Sequence, residues 1–399
     1  MARVVGPVAP PPTLMGLDYV FTEGTAAPYD VMYDYIGNEG APVSIAQCDH
    51  AFVTAYCSVR KLVRTRDGTL YAVYNKTLAG VHQLYVKKSV DDGATWTDET
   101  RISTYAGMQN YYQRDGSIAV DSSDHLHVVW RGMATGYTTR NQIWYAKYTT
   151  SWAPPVRIST VAGMATNTQG PPGIAVDSSD YLHVVWVGLT ISPPANYQVW
   201  YNKYTGSWAG PVRISTYTNM ATYPQYMPGI AVDSSDHLHV VWFGKATGYT
   251  TIYQIWYAEY TDSWVTPVRI STYTNMATYN QWDPSIAVDA SDHLHVVWHG
   301  KATGFTTVDQ IWYAKYTTSW VAPVRISTYT NMATYAQTYP SIAVDDDDYL
   351  HVLWGGKATG YTNYDKIWHA EYTDSWATPE VLQPIGQNKH PNIRWSRWP

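Results

Sequence analysis

The side chains with the widest chemical reach recur at one fixed interval. His127, His183, His239, His295 and His351 stand 56 residues apart, as do Arg101, Arg157, Arg213, Arg269 and Arg325. Histidine can ligate a metal or move a proton, and arginine can clamp a carboxylate. Either use needs several such groups at one point, with metal bonds of roughly 2 Å. A tandem array does the opposite and places each copy in its own repeat, far from its counterparts. The histidines therefore read as hydrogen-bonded strand residues, and the arginines as cover for an outer strand or partners of turn carboxylates. Asp345-Asp-Asp-Asp348 offers the oxygen ligands that calcium takes, with a solvated turn as the preferred reading. Phosphate loops, nucleophile elbows and zinc motifs are absent. The expectation is no catalytic residue, no metal and no cofactor.

A further register points to a ligand. Gln113, Gln169, Gln225, Gln281 and Gln337 share it, and Tyr111, Tyr223, Tyr279 and Tyr335 lie two positions before four of them. The stretch Lys245-Ala-Thr-Gly-Tyr-Thr-Thr251 adds Tyr249, and its last copy adds Tyr361. Planar rings beside amides and hydroxyls suit a neutral sugar, which needs a stacking surface and directional hydrogen bonds. Weak sites repeated on one face gain strength through multivalency. Together with Trp282 these residues form the candidate glycan-binding set. Other positions vary while the framework holds. Arg114, Gly170, Tyr226, Trp282 and Thr338 follow the glutamines, and Arg131, Val187, Phe243, His299 and Gly355 follow the tryptophans of the next strand.

The elements that must carry these residues are strands. Ser117-Ile-Ala-Val-Asp121 recurs with its last residue at Asp177, Asp233, Asp289 and Asp345, and Lys61–Tyr74 is a divergent copy, which makes six units. Unit one holds Lys61 and unit six Asp345. Within unit two, Ile118–Val120, Leu126–Trp130, Gln142–Tyr148 and Val156–Ser159 are β-rich runs divided by turn residues. Four strands per unit in tandem predict an all-β fold, a seven-bladed β-propeller of four-stranded antiparallel blades. Tryptophan fills three registers, headed by Trp130, Trp144 and Trp152, and reads as packing between blades rather than as sugar platforms. The seventh blade is expected to be shared between residues 17–37 and 390–399, closing the ring by pairing the N- and C-terminal strands. Residues 1–16 read as a Pro-rich arm, and 17–399 as a single propeller domain. The short turns and the long loops fall on opposite faces, and the candidate set lies on the long-loop face.

Ser89-Val-Asp-Asp-Gly-Ala-Thr-Trp96 resembles the Asp-box of sialidase-like propellers, at the position between third and fourth strands that the family uses. The resemblance implies that superfamily's fold more than an activity. Sialidases are similar to one another in a catalytic set of three arginines, a Tyr–Glu pair and an acid, with the first arginine in a Phe-Arg-Ile-Pro stretch. None of Phe21, Phe52, Phe243 and Phe305 precedes an arginine.

Composition narrows the rest. The net charge is −6, with no basic run, which argues against nucleic acid. No stretch is apolar enough to span a membrane, and the N-terminus does not read as a signal peptide. Cys48 and Cys57 read as free thiols more readily than as a small disulfide loop. The leading expectation is a non-enzymatic carbohydrate-binding propeller, a lectin or adhesin outside the cell or on a virion surface. Its partners would be glycans, and other copies of itself or a particle surface through the N-terminal arm. One alternative is a sialidase-like glycoside hydrolase with a carboxylate pair in the central channel; another is a structural module that binds only protein.

Overall fold

Alternation along a strand sends successive side chains to opposite faces, and here both faces must be apolar. In unit two, Val128 and Trp130 pack with Val73, Leu84 and Val86 of unit one, while Val129, Ile143 and Tyr145 pack with Ile174, Leu182 and Trp186 of unit three. Each sheet is thus sandwiched between two neighbours, as the continuous Leu-His-Val-Val-Trp run requires. The computed structural model describes residues 18–23, 29–35, 43–48, 60–190, 196–382 and 388–393. The expected N-terminal arm and Cys57 lie outside them. The described strands form seven four-stranded antiparallel sheets. Unit two is typical, with strands Gln113–Val120, Leu126–Ala134, Tyr137–Tyr148 and Val156–Arg157 in that spatial order. First strands of successive units pack on one another and are therefore innermost.

The seventh sheet draws on both ends of the chain. Asn388–Ile393 pairs antiparallel with Asp18–Glu23, followed by Tyr29–Tyr35 and Val43–Cys48. Its outer strand, Val43–Cys48, lies beyond the expected 17–37 boundary. The Asp-box sits between the third and fourth strands of unit one. Ser89 Oγ, Thr95 Oγ1 and the Thr95 N–H all donate to Asp91, and Gly93 takes a φ of 84° that the tight turn demands.

The short-turn face is laced from blade to blade. Asp180, Asp236 and Asp292 each accept the backbone N–H and the hydroxyl of the serine one unit back, Ser122, Ser178 and Ser234, at 2.6–2.8 Å. No helix among the described residues is long and apolar enough to cross a membrane.

Candidate functional site

Along the long-loop face the glutamine register proves to be scaffolding. Gln113, Gln169, Gln225, Gln281 and Gln337 are fully buried. Each Oε1 accepts from a second-strand indole, as Gln225 does from Trp242 at 2.8 Å. Each Nε2 donates to two loop carbonyls, for Gln225 those of Tyr223 and Lys245. An amide has one oxygen and two N–H groups, and all are spent. The expectation that these glutamines meet a ligand is corrected accordingly. The third-strand glutamines, Gln142, Gln198, Gln254 and Gln310, clamp the next loop in the same way, through the carbonyls of the buried methionines Met164, Met220, Met276 and Met332.

The candidate tyrosines are half-buried. Tyr111, Tyr223, Tyr279 and Tyr335 lend their carbonyls to the glutamines. Tyr249 is wedged between the Arg269 guanidinium, 4.7 Å from its centroid, and Trp256. Tyr361 lies edge-on to Trp368. Trp282 belongs to a different set.

That set consists of the positions that break the repeat. Directly after the buried glutamine, the first strand slips register in a β-bulge, between Arg114 and Ser117, Tyr226 and Gly229, Trp282 and Ser285, and Thr338 and Ser341. Asp115, Met227, Asp283 and Tyr339 carry the bulge at φ of 49–57°, a conformation that is costly for these residue types and clusters at functional sites. The bulge lies beside the long loops, on the strands that pack innermost. In unit two, Arg114 and Arg131 are direct cross-strand partners. Arg131 Nε donates to Asp115, and the Arg114 guanidinium lies 4.6 Å over Tyr112 with its Nε buried and unbonded. Like charges set directly opposite each other repel.

In units four and five the residue after the glutamine is aromatic, Tyr226 and Trp282, and rings from units three and four join them. Trp282 lies 4.7 Å from Tyr253 and 5.1 Å from Phe243, and Tyr226 lies 5.6 Å from Tyr197 and 5.5 Å from Phe243. Lys245 Nζ sits 4.5 Å over Tyr253. Beside them His299 stands between two carboxylates, with Nε2 3.2 Å from Asp283 and Nδ1 3.4 Å from Asp309, the second contact being a charge pairing without hydrogen-bond alignment. Burial alone would lower the His299 pKa, but Asp283 and then Asp309 outweigh it and push it up to about 9. Below that pH the ring is an imidazolium set between two carboxyl groups. Tyr339 closes over it at 5.8 Å. Sequence reasoning named these variable positions but missed Asp115, Asp283 and Asp309; their signal is that they too depart from the repeat.

The repeated histidines are framework. His127 sits between Asp121 and the Tyr145 hydroxyl, at 3.0 and 2.9 Å, and His183, His239 and His295 copy it. Burial would raise the pKa of Asp121, yet hydrogen bonds from His127 and the turn hold it far below the usual carboxylate range. Arg157, Arg269 and Arg325 donate to Ser159, Ser271 and Ser327 carbonyls of their own fourth-strand segments. Among the described residues no group of three His, Cys, Asp or Glu side chains could hold a metal ion. In the Asp345–Asp348 turn, the Asp345 carboxylate accepts from the N–H groups of Asp347 and Tyr349.

No family model and no curated protein matches the chain. Solved structures do. A polysaccharide lyase, the PL25 ulvan lyase bound to -[GlcA(1-4)Rha3S]-, is similar at a TM-score of 0.59 and 11% identity, covering 85% of each chain. A protein of unknown function from Dyadobacter fermentans is similar at 0.50 and 10%, covering 81% of this chain and 94% of that one. The NanB sialidase of Streptococcus pneumoniae is similar at 0.49 and 11%, covering 78% and 67%, and NanB with Optactamide at 0.50 and 11%, covering 76% and 65%. At such identities the likeness concerns the fold, which is a seven-bladed β-propeller. It also overturns the expectation of a non-enzymatic lectin or adhesin on a virion surface: of these three, those with a named activity are carbohydrate-cleaving enzymes.

Proposed function

We propose that this propeller is a carbohydrate-cleaving enzyme, a glycoside hydrolase acting on an acidic polysaccharide at the axial mouth of the long-loop face. The observation that carries the reading is that the residues escaping the repeat fall at or beside the same first-strand bulge in each unit, while the framework around them is copied from unit to unit. The arginine pair Arg114 and Arg131 supplies a seat for a sugar carboxylate or sulfate. Trp282 and Tyr226 supply a stacking edge for a neutral ring of the same chain. Asp283 and Asp309 are 18% and 23% exposed and flank His299. Glycoside hydrolysis works with paired carboxyl groups, and these two aspartates are the candidates for that pair.

The test is release of reducing ends from uronic-acid-containing, sulfated and neutral polysaccharides. Acidic chains are expected to be cut, and Asp283→Asn and Asp309→Asn are each expected to lower the rate about a hundredfold or more. Arg114→Ala is expected to raise KM on acidic chains selectively. Cleavage that leaves an ultraviolet-absorbing unsaturated uronide would reassign the reaction as elimination. No cleavage of any acidic chain, or full activity in both aspartate variants, would overturn the reading.

A further inference from the structure

The Asp–His–Tyr relay is unchanged in units two to five, and its proton count closes. In each unit the histidine makes two contacts, one to a carboxylate and one to a hydroxyl. A neutral imidazole brings one proton and a phenol brings another. Unit six breaks the pattern by placing His369 where the others have tyrosine. His369 Nε2 lies 3.0 Å from His351 Nδ1, His351 Nε2 lies 3.2 Å from Asp345, and His369 Nδ1 lies 3.0 Å from Glu380. The rings are nearly parallel, 8° apart.

This row, Asp345–His351–His369–Glu380, has three contacts and so needs three protons. Ionised carboxylates at its two ends supply none, and two neutral imidazoles supply two. If both N–H groups turned outward to the carboxylates, two nitrogen lone pairs would face each other at 3.0 Å. We propose that unit six binds one additional proton between His351 and His369, so that the blade adjoining the C-terminal strand is held by an imidazolium that units two to five lack.

The surrounding charges agree. The charged groups that face the pair among the described residues are Asp345 after the first strand, Glu371 on the third strand opposite His351, and Glu380 on the fourth. Units two and five have Lys147 and Lys315 where unit six has Glu371. The shorter carboxylate contact is that of His369, 3.0 Å to Glu380 against 3.2 Å from His351 to Asp345, and burial pushes the pKa of His351 down, which seats the additional proton on His369.

The sign of the pH effect follows. Two histidines in the unfolded chain titrate near pH ~6.5. Above that pH the folded pair keeps a proton that the unfolded chain has lost, so stability falls as pH rises further and the third hydrogen bond goes. Far below it, the unfolded chain binds two protons against one, a deficit that a single buried histidine shares. His369→Tyr gives unit six the relay of its neighbours and is the matched control.

Melting of the full chain and of His369→Tyr is compared from about pH 5 to 9 in metal-free buffer. The wild-type-minus-variant difference is expected to be flat at acid pH and to fall by several degrees above about pH 7. A difference independent of pH overturns the proposal. Imidazole nitrogen NMR of the wild type gives a readout free of any variant. One ring doubly protonated near neutral pH, beside a partner protonated only at Nε2, supports the proposal, and two neutral rings overturn it. A wild-type melting shift on adding zinc or a chelator, absent in His369→Tyr, also overturns it by placing a metal where the proton was assigned.

Discussion

Histidine shows how one residue type reaches opposite states in one molecule. His127, His239 and His295 are buried and their pKa values are lowered, because burial outweighs the hydrogen bond each donates to a single aspartate. His299 is as deeply buried, but Asp283 and Asp309 flank both of its nitrogens, and its pKa goes up to about 9. A folded pKa above the unfolded value of roughly 6.5 adds stability that is complete below the unfolded value and is lost as pH rises through the folded one. His299→Phe is the matched variant, because unit four carries Phe243 at this position. The wild type is expected to exceed it in stability at about pH 6, by a margin that shrinks by about 2–4 kcal/mol by about pH 10. Melting curves across that range check it; a margin independent of pH would show that the ring is neutral throughout. Asp283 and Asp309 could not be read from the sequence as partners of His299. Sixteen and ten residues separate them from it, and only the bulge at Asp283 and the pairing of three strands bring them to one ring.

Elements in this protein are fixed by polar anchors as much as by apolar faces. Gln225 joins its own strand, the Trp242 indole and the carbonyls of Tyr223 and Lys245, all inside the blade. Gln225→Leu keeps the volume but strands an indole N–H and two carbonyls away from water. The expected loss is about 2–4 kcal/mol, since buried groups left unpaired cost about 1–3 kcal/mol each and relaxation recovers part. Denaturant titration tests this, and a change under about 0.5 kcal/mol would mean that the loop carbonyls find water instead. The same glutamines explain a misreading. A polar residue repeated beside aromatic loops looks like a ligand contact, and strict periodicity was the clue that it was not, because a site on an axis is built from what differs between copies. Strands were legible because their two-sided apolar runs recur. The bulges were not, because they depend on backbone conformations adopted by Asp115, Met227, Asp283 and Tyr339, side chains that do not advertise them. The Asp-box turn was legible because serine, aspartate, glycine and threonine each have a distinct task within eight residues.

At the scale of the whole ring, cohesion comes from interfaces, and those between units two and five share the same parts. Third-strand tyrosines meet the next unit's tryptophan edge-on, as Tyr201 meets Trp264 and Tyr257 meets Trp320 at 5.0 Å. Serine–aspartate pairs lace the short-turn face, and Trp242 and Trp256 are sealed between units three and four. In a stack of repeats, stability is a sum of unit and nearest-neighbour terms. A ring differs from an open stack by having no end units, and here the joint depends on one strand. Asn388–Ile393 is the first strand of the seventh sheet and also packs against the strands of unit six. Removing residues 388–399 takes the partner from Asp18–Glu23, leaving that strand's edge open. It also uncovers one side of unit six. Two interfaces weaken at once, so the loss is expected to exceed that of a typical strand deletion at the end of an open array. The truncated chain should melt well below the full-length protein and self-associate through the open edge, as read by thermal melts and size-exclusion chromatography. If the truncated chain stays monomeric and melts with the full-length protein, the interfaces of units one to six suffice and the terminal strand does not hold the ring.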